Sequence, residues 1–488
     1  MGKPQKCPGG QFFPLLVVLV LVLIPATAIR SQSRYYNRSS GGGGGGDGDG
    51  GGGDRGCEGR RIHIRELPAR FNTELLRGCD AFSQWEVVGG EFCTYLANHG
   101  LGPRTHNRSR SWYRTDARLL EPFFHRRLLE YPCLTPDPSA ADAIFLPYYG
   151  ALDALPYLLL LNDNASAALH GAPLARLLRS DRPALLRRRA GHDHFLVLAG
   201  PAWDFSQHPR ADPPLWGTSF LRLPDLLNLT VLVLESRPPH SRWQEHAVPH
   251  PTSFHPTPSP ARRRLARAAR SPRPTLMLFA GGGASSPSAA AAARPNNIRS
   301  AILAECAERP DLCALVDCSG GACAHDPVRY VRPMLRARFC LQPPGDTPAR
   351  RSTFDAVIAG CIPVFFEDAA ARAHYGWHLP RSRYADFSVL VPKEDVVFGG
   401  LRIADVLAAV PPAEVRRMRA RVLELAPRVM YRRHGSSPDL RAIKDAFDLA
   451  IDGVLRRINR RVRAIEEGDP DRIYYQDDDD DDDRNDDV

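Results

Sequence analysis

Six short apolar runs recur through the middle of the chain, each closed by turn-forming residues: Ile144–Tyr148, Phe195–Ala199, Thr230–Leu234, Leu276–Ala280, Leu312–Val316 and Ile362–Phe366. Runs of this length, rich in Val, Leu, Ile and Phe and without polar alternation, read as strands buried on both faces. Helical patterns lie between them. Asn296–Arg309 places Ile298, Ile302 and Leu303 on one side, and Pro412–Val429 and Asp439–Ile465 are longer and amphipathic. Strand–helix alternation predicts an α/β fold with parallel sheets covered on both sides. The Pro-rich stretch from Pro238 to Pro274 interrupts the alternation and predicts the boundary between two halves, 60–260 and 261–468.

The ends have a different character. Phe12–Ile29 is an uncharged apolar segment behind Lys3 and Lys6. At about 1.5 Å per residue it would span about 27 Å as a helix, enough for a thin bilayer. It reads as a signal anchor behind a cytosolic stretch, 1–11. Ala26-Thr27-Ala28 keeps a cleaved signal peptide as the alternative. A Gly-rich stalk follows to residue 59, and 469–488 is an acidic tail containing Asp477–Asp483 without a break. The chain carries a formal +9, but the two ends contribute +2 and −9, so the core stands at +16. A basic core suits an anionic ligand such as a nucleotide diphosphate, and equally suits solubility alone.

Four sequons, at Asn37, Asn107, Asn164 and Asn228, fit a luminal protein behind such a segment. Ten of the eleven Cys lie beyond the apolar segment, an even number that predicts disulfides in an oxidising compartment. The rival is zinc at Cys306, Cys313, Cys318 and Cys323, whose spacings are not those of a zinc ribbon. Luminal signals also argue against a nucleic-acid role.

In open α/β sheets ligands bind outside the carboxyl ends of the strands. The residues there are Asp153, read as a general base or a helix cap; Trp203 and Asp204, read as a sugar contact or an Asx-turn; and Glu235, read as a base or a structural ion-pair member. Gly281 opens a run of glycines that would let backbone approach a phosphate.

The densest constellation is Phe339–Phe366. Phe339–Leu341 ends a strand, Pro343–Thr347 with Gly345 and Asp346 makes a turn, and Arg350–Ala359 forms a helix with Phe354, Val357 and Ile358 facing the sheet. Gly360 ends the helix and Ile362–Phe366 is the next strand. The helix N-terminus offers free N–H groups and a positive dipole end. Arg350, Arg351 and Ser352 are placed to clamp a diphosphate, and Asp355 to accept from a ribose.

Here the sequence resembles the exostosin-type glycosyltransferases of plants, close to the xyloglucan galactosyltransferase branch. The residues carrying the resemblance are Phe339–Asp346, Arg350–Ser352, Asp355 and Ala359–Phe366. Further matches are Glu66–Asn72, Ala141–Tyr149, Gly191–Phe195, Trp203–Phe205, Pro251–Pro256, Trp377–Pro380 and Lys444–Asp448, in family order across residues 60 to about 455.

The resemblance implies a single-pass type II Golgi membrane protein with its catalytic domain in the lumen. Its fold would be of GT-B type, two Rossmann-like domains facing a cleft. The second half would bind a UDP-sugar through Gly281, Gly345, Asp346, Arg350, Arg351, Ser352 and Asp355. The first half would present the polysaccharide acceptor near Trp203 and Asp204. Transfer would be inverting, with Asp153 the first choice of base and Glu235 the second, and with no metal or cofactor beyond the donor. Implied partners are a UDP-sugar, xyloglucan, the Golgi membrane and other glycosyltransferases.

Two departures stand out. Gly282-Gly283-Ala284 and Gly200-Pro201 lack arginines that relatives carry, unless Arg294 substitutes for the first. They keep open another donor or acceptor, such as UDP-galacturonate or another hemicellulose, and a non-catalytic partner of a glycosyltransferase complex.

Overall fold

The six apolar runs supply six of ten strands, which form two five-stranded sheets in which every described ladder is parallel. The computed structural model describes residues 56–474 except 78, 80–91, 106–110, 160–168, 209–216, 238–243, 283–296, 320–321 and 437–443. Sheet one runs in chain order: β1 (Ile62–Ile64), β2 (Ala143–Phe145), β3 (His194–Pro201), β4 (Thr230–Glu235) and β5 (Glu245–Ala247). Sheet two contains β6 (Thr275–Gly281), β7 (Cys313–Asp317), β8 (Ala337–Gln342), β9 (Ile362–Phe365) and β10 (Val389–Leu390), in the order β10-β9-β8-β6-β7.

The chain therefore leaves β6 toward β7 on one side and returns as β8 on the other. The crevice outside the ends of β6 and β8 is a topological switch point, where a ligand can sit between diverging loops. Two helices begin beside it, α4 (Ile298–Glu308) after β6 and α5 (Arg351–Ile358) after β8. Six residues of β3 and all of β4 are buried, as strands covered on both faces must be.

The first sheet is covered in part by α1 (Leu120–Leu128) and by α7 (Ala446–Glu467), whereas α6 (Pro412–Leu425) packs on α5 and β9 of the second. Phe124 of α1 packs on Phe145 of β2 and on Phe447 of α7, with ring centroids 6.3 and 4.6 Å apart. Sequence order places α7 with the second half, and it bonds to that half through His378 and Arg432, yet it also reaches the first. Arg60 donates to Asp452 at 2.6 Å, Asn459 to the Gly59 carbonyl at 3.0 Å, and Arg461 to the Asn228 carbonyl at 3.4 Å. The helix crosses back because its buried stripe, from Phe447 through Ile451, Val454 and Ile458, needs a sheet face to cover.

The Pro-rich stretch holds regular structure rather than a bare linker. Besides β5 it contains α3 (Pro258–Arg270), with prolines in its first turn, where a missing N–H breaks no helical bond. The expected stalk also ends earlier than residue 59, since Cys57 is bonded to Cys133 and Gly59 accepts from Asn459.

All ten Cys beyond residue 56 pair: Cys57–Cys133, Cys79–Cys93, Cys306–Cys313, Cys318–Cys323 and Cys340–Cys361. The four closely spaced sulfurs that zinc would need are consumed in two of these bridges. No described helix is long and apolar enough to cross a membrane. The segments 1–11 and 12–29, nearly all of the stalk, most of the acidic tail, and Asn37, Asn107 and Asn164 lie outside the described residues.

Candidate functional site

The turn after β8 and the first turn of α4 meet at the switch point. Arg350 is the N-cap of α5, and its guanidinium folds back over the turn, donating to Thr347 Oγ1 at 3.2 Å and to the Thr347 carbonyl. Arg299, in the first turn of α4, donates from Nε to the Pro344 carbonyl at 3.0 Å. Gly345 lies between them. A Cβ there would sit 2.2 Å from Arg350 Nη2 and 2.7 Å from Arg299 Nη2. Two guanidinium ends thus converge on the space beside Gly345, where a Cβ would displace them. Burial lowers the Arg299 pKa, and burial together with the Arg299 charge lowers that of Arg350 to about 10. Among the described residues neither guanidinium forms an ion pair, though Asp346 and Glu235 lie near enough to favour the charged state of Arg350. Two crowded, partly desolvated cations at helix N-termini form a site that a diphosphate would relieve.

Glu235, the last residue of β4, reaches this turn from the first sheet. It is 3% exposed. One oxygen accepts from Thr347 Oγ1 at 2.7 Å and the other from the Ala349 N–H at 2.9 Å. Burial raises its pKa, while the Ala349 and Thr347 bonds oppose the rise. Both oxygens are engaged, so the carboxylate fastens the turn below Arg350 to the carboxyl edge of sheet one. That contact also fixes the orientation of the two sheets: their carboxyl edges face each other.

The remaining residues expected at the donor spread out. Arg351 donates to the Thr115 carbonyl at 2.8 Å and to Ser253 Oγ, both in the first half, and lies 3.9 Å from Asp355. Ser352 donates to Gln342 Oε1. Asp355 is buried and accepts from the Tyr330 hydroxyl at 3.1 Å, so in this arrangement it faces a protein phenol where the sequence suggested a ribose. Gly281 ends β6, and its missing Cβ makes room for the Phe279 ring, 2.5 Å from where that atom would be. Arg294 lies outside the described residues.

On the first sheet, Asp153 sits in the first turn of α2 (Gly150–Leu159), following β2. Its side chain is 36% exposed and its Oδ2 accepts from the Tyr148 hydroxyl. Trp203 and Asp204 form the turn after β3, whose Asp204 carbonyl accepts from the Thr218 N–H at 2.7 Å. Gly217, at φ +99°, permits that approach, since a Cβ would fall 2.6 Å from the same oxygen. The Asp204 charge is felt at Glu235, which ties this turn to the donor edge. Asn228, the one described sequon residue, donates from its amide to the Ala190 carbonyl at 2.9 Å.

Sequence reasoning passed over Arg299, His170 and Glu121. Arg299 had a signal: it opens the helix after β6, the topological twin of Arg350 after β8. Glu121 of α1 accepts from the Ala151, Leu152 and Ala199 N–H groups at 2.7, 3.3 and 3.3 Å and so caps α2. Burial pushes its pKa up to about 8. No group of three or more His, Cys, Asp or Glu that could hold a metal occurs among the described residues.

The exostosin GT47 domain model matches residues 56–406, which contain both sheets and the whole site. The chain belongs to the exostosin GT47 family. It is similar to a probable xyloglucan galactosyltransferase, GT19, of Arabidopsis thaliana, at 58% identity over 84% of this chain and 92% of the relative. It is 35% identical to a second, GT15, over 83% of this chain and 84% of that relative. A xyloglucan-specific galacturonosyltransferase of the same plant is 33% identical over 83% of this chain and 58% of its own length. As a GT47 glycosyltransferase the protein needs a nucleotide-sugar pocket, and the Arg299–Gly345–Arg350 cluster has the charge and position for it.

Proposed function

We propose that this GT47 enzyme transfers galactose from UDP-galactose to xyloglucan side chains with inversion, in a GT-B arrangement. The observation that carries the reading is the pair of guanidiniums converging on Gly345 at the switch point, opposite an acidic carboxyl edge on the other sheet. The names of the relatives supply the sugar and the acceptor. In the reaction the acceptor hydroxyl oxygen attacks the anomeric carbon, its proton passes to Asp153, and the bond to UDP breaks. Arg299 and Arg350 neutralise the charge that develops on the departing diphosphate, so a divalent ion is not required. Trp203 and Asp204 line the acceptor side. Glu235 holds the donor turn rather than taking the proton. The enzyme works in the Golgi lumen, carried there by 12–29 as a type II anchor.

A second reading keeps the chemistry and changes the donor to UDP-galacturonate, favoured by the galacturonosyltransferase among the relatives. The test is transfer by residues 57–488, with chelator present, from a panel of UDP-sugars to xyloglucan oligosaccharides. Transfer from UDP-galactose is expected. Transfer from UDP-galacturonate alone selects the second reading, and no transfer with any donor overturns both in favour of a non-catalytic partner.

A further inference from the structure

Behind Asp153 lies a line of buried polar groups that the reaction as described does not use. His170 is completely enclosed, its side chain 0% exposed. Its Nε2 lies 3.0 Å from the Tyr148 hydroxyl and 3.6 Å from Asp153 Oδ2, and its Nδ1 lies 3.0 Å from Thr218 Oγ1. Thr218 is likewise fully buried. The phenol has one proton, which it gives to Asp153. Its oxygen is then an acceptor, so His170 Nε2 must carry a hydrogen toward it. His170 Nδ1 is left without one and accepts from the Thr218 hydroxyl. The directions agree along the whole line: Thr218 to His170, His170 to Tyr148, Tyr148 to Asp153.

The surroundings hold this arrangement in one state. Burial pushes the His170 pKa down to about 4, so the ring is neutral with a single N–H. Burial and the Asp153 charge raise the Tyr148 pKa well above its usual value, so the phenol keeps its proton. The Tyr148 ring is fixed between Phe220, stacked at 5.6 Å, and Phe71, edge-on at 5.9 Å. The other groups facing this pair are Glu121 from α1, whose charge couples to both Asp153 and Tyr148, Tyr157 one turn along α2, and the Gly150 carbonyl beside His170.

Resting on the assignment of Asp153 as base, we propose that Tyr148 and His170 are positioning residues that hold Asp153 Oδ2 and leave Oδ1 to take the acceptor proton. The phenol O–H engages Oδ2 and fixes the plane of the carboxyl group, which leaves Oδ1 as the open oxygen. The line moves no proton itself. The one removed from the sugar hydroxyl stays on Asp153 until solvent takes it after UDP leaves.

The experiment measures kcat and KM separately for wild type, Asp153→Asn, Tyr148→Phe, His170→Ala and His170→Gln. Tyr148→Phe keeps both ring contacts, and the melting temperature of each variant reports its folding. The reading of Asp153 as base requires Asp153→Asn to lose at least a hundredfold in kcat. The inference requires Tyr148→Phe to lower kcat about tenfold while the KM for donor stays near wild type, because a carboxyl group free to rotate presents Oδ1 less often. His170→Ala should lower kcat in the same way, and His170→Gln, which can still donate to the phenol, should restore most of the wild-type kcat. Wild-type kcat in both Tyr148→Phe and His170→Ala, with Asp153→Asn inactive, would overturn the inference and leave the base in place. An active Asp153→Asn would overturn both.

Discussion

Glu235→Gln separates two roles that a carboxylate at a cleft can play. In the wild type its oxygens accept from Thr347 Oγ1 and from the Ala349 N–H at 2.7 and 2.9 Å. The amide keeps one acceptor. The other position becomes an NH2, which cannot accept. The amide oxygen can keep the Ala349 N–H, and the Thr347 hydroxyl can turn to accept from the NH2, but both bonds lose the carboxylate charge. Two charge-assisted bonds become neutral ones, a loss of about 2 kcal/mol together. If that energy holds the turn carrying Gly345 and Arg350 in its binding shape, UDP affinity falls by roughly tenfold to a hundredfold. The KM for donor rises with it, and kcat at saturating donor changes by less than about tenfold. A general base behaves in the opposite way: its removal would cost about 10²–10⁴ in kcat and leave UDP binding alone. Calorimetric titration with UDP and steady-state kinetics on the same variant read both quantities. Unchanged UDP affinity together with a thousandfold loss of kcat would refute the assignment of Glu235 as a clasp.

Three other outcomes follow from named contacts. Gly345→Ala would push against both guanidiniums and is expected to weaken UDP binding at least tenfold, while circular dichroism and the Tm stay near wild type. Asp445→Asn keeps a competent N-cap for α7 but removes the charge facing buried Arg127 at 2.8 Å and Arg432 at 3.1 Å, and is expected to cost about 3–5 kcal/mol in denaturant unfolding. Arg127 and Arg432 hold the Asp445 carboxyl well below its usual range, so this stabilisation is complete above the unfolded-state value near pH 4 and fades as pH falls further; the gap between variant and wild type should narrow in acid. Replacing both Cys340 and Cys361 with Ala opens a crosslink of sequence separation 21 around α5 and is expected to cost about 3 kcal/mol, read as a lower denaturation midpoint.

Much of the fold is legible in the chain because parallel strands buried on both faces must be apolar throughout. β2, β3, β4, β6 and β9 announce themselves in this way, and Gly360, at φ +64°, ends α5 where the pattern puts it. The strands that escape are β1, β5 and β10, with three, three and two residues, too short for any period to show. β5 is also polar, Glu-His-Ala, and sits in a stretch where proline masks both strand and helix. In the site, the β8–α5 unit is legible since its turn, cap and helix are contiguous. The partners of its residues are not. Arg351 finds Thr115 at a separation of 236 residues, Glu235 finds Ala349 at 114, and His170 meets Thr218 at 48. Contacts of that range are set by how two sheets dock, which local patterning does not encode. The rule that ligands sit at strand ends points to the edge where Arg299, Gly345 and Arg350 meet. Following it past Gly281 into the first turn of α4 would have reached Arg299.

The central claim is that the diphosphate of a UDP-sugar sits on Arg299 and Arg350 beside Gly345. Titration of residues 57–488 with UDP, wild type against Arg299→Ala, tests it most directly, because Arg299 lies far from Asp153 in the chain and carries no structural ion pair among the described residues. The expected result is saturable binding by the wild type, with affinity reduced at least tenfold in the variant at unchanged Tm. Equal UDP affinity in the two proteins would contradict the account.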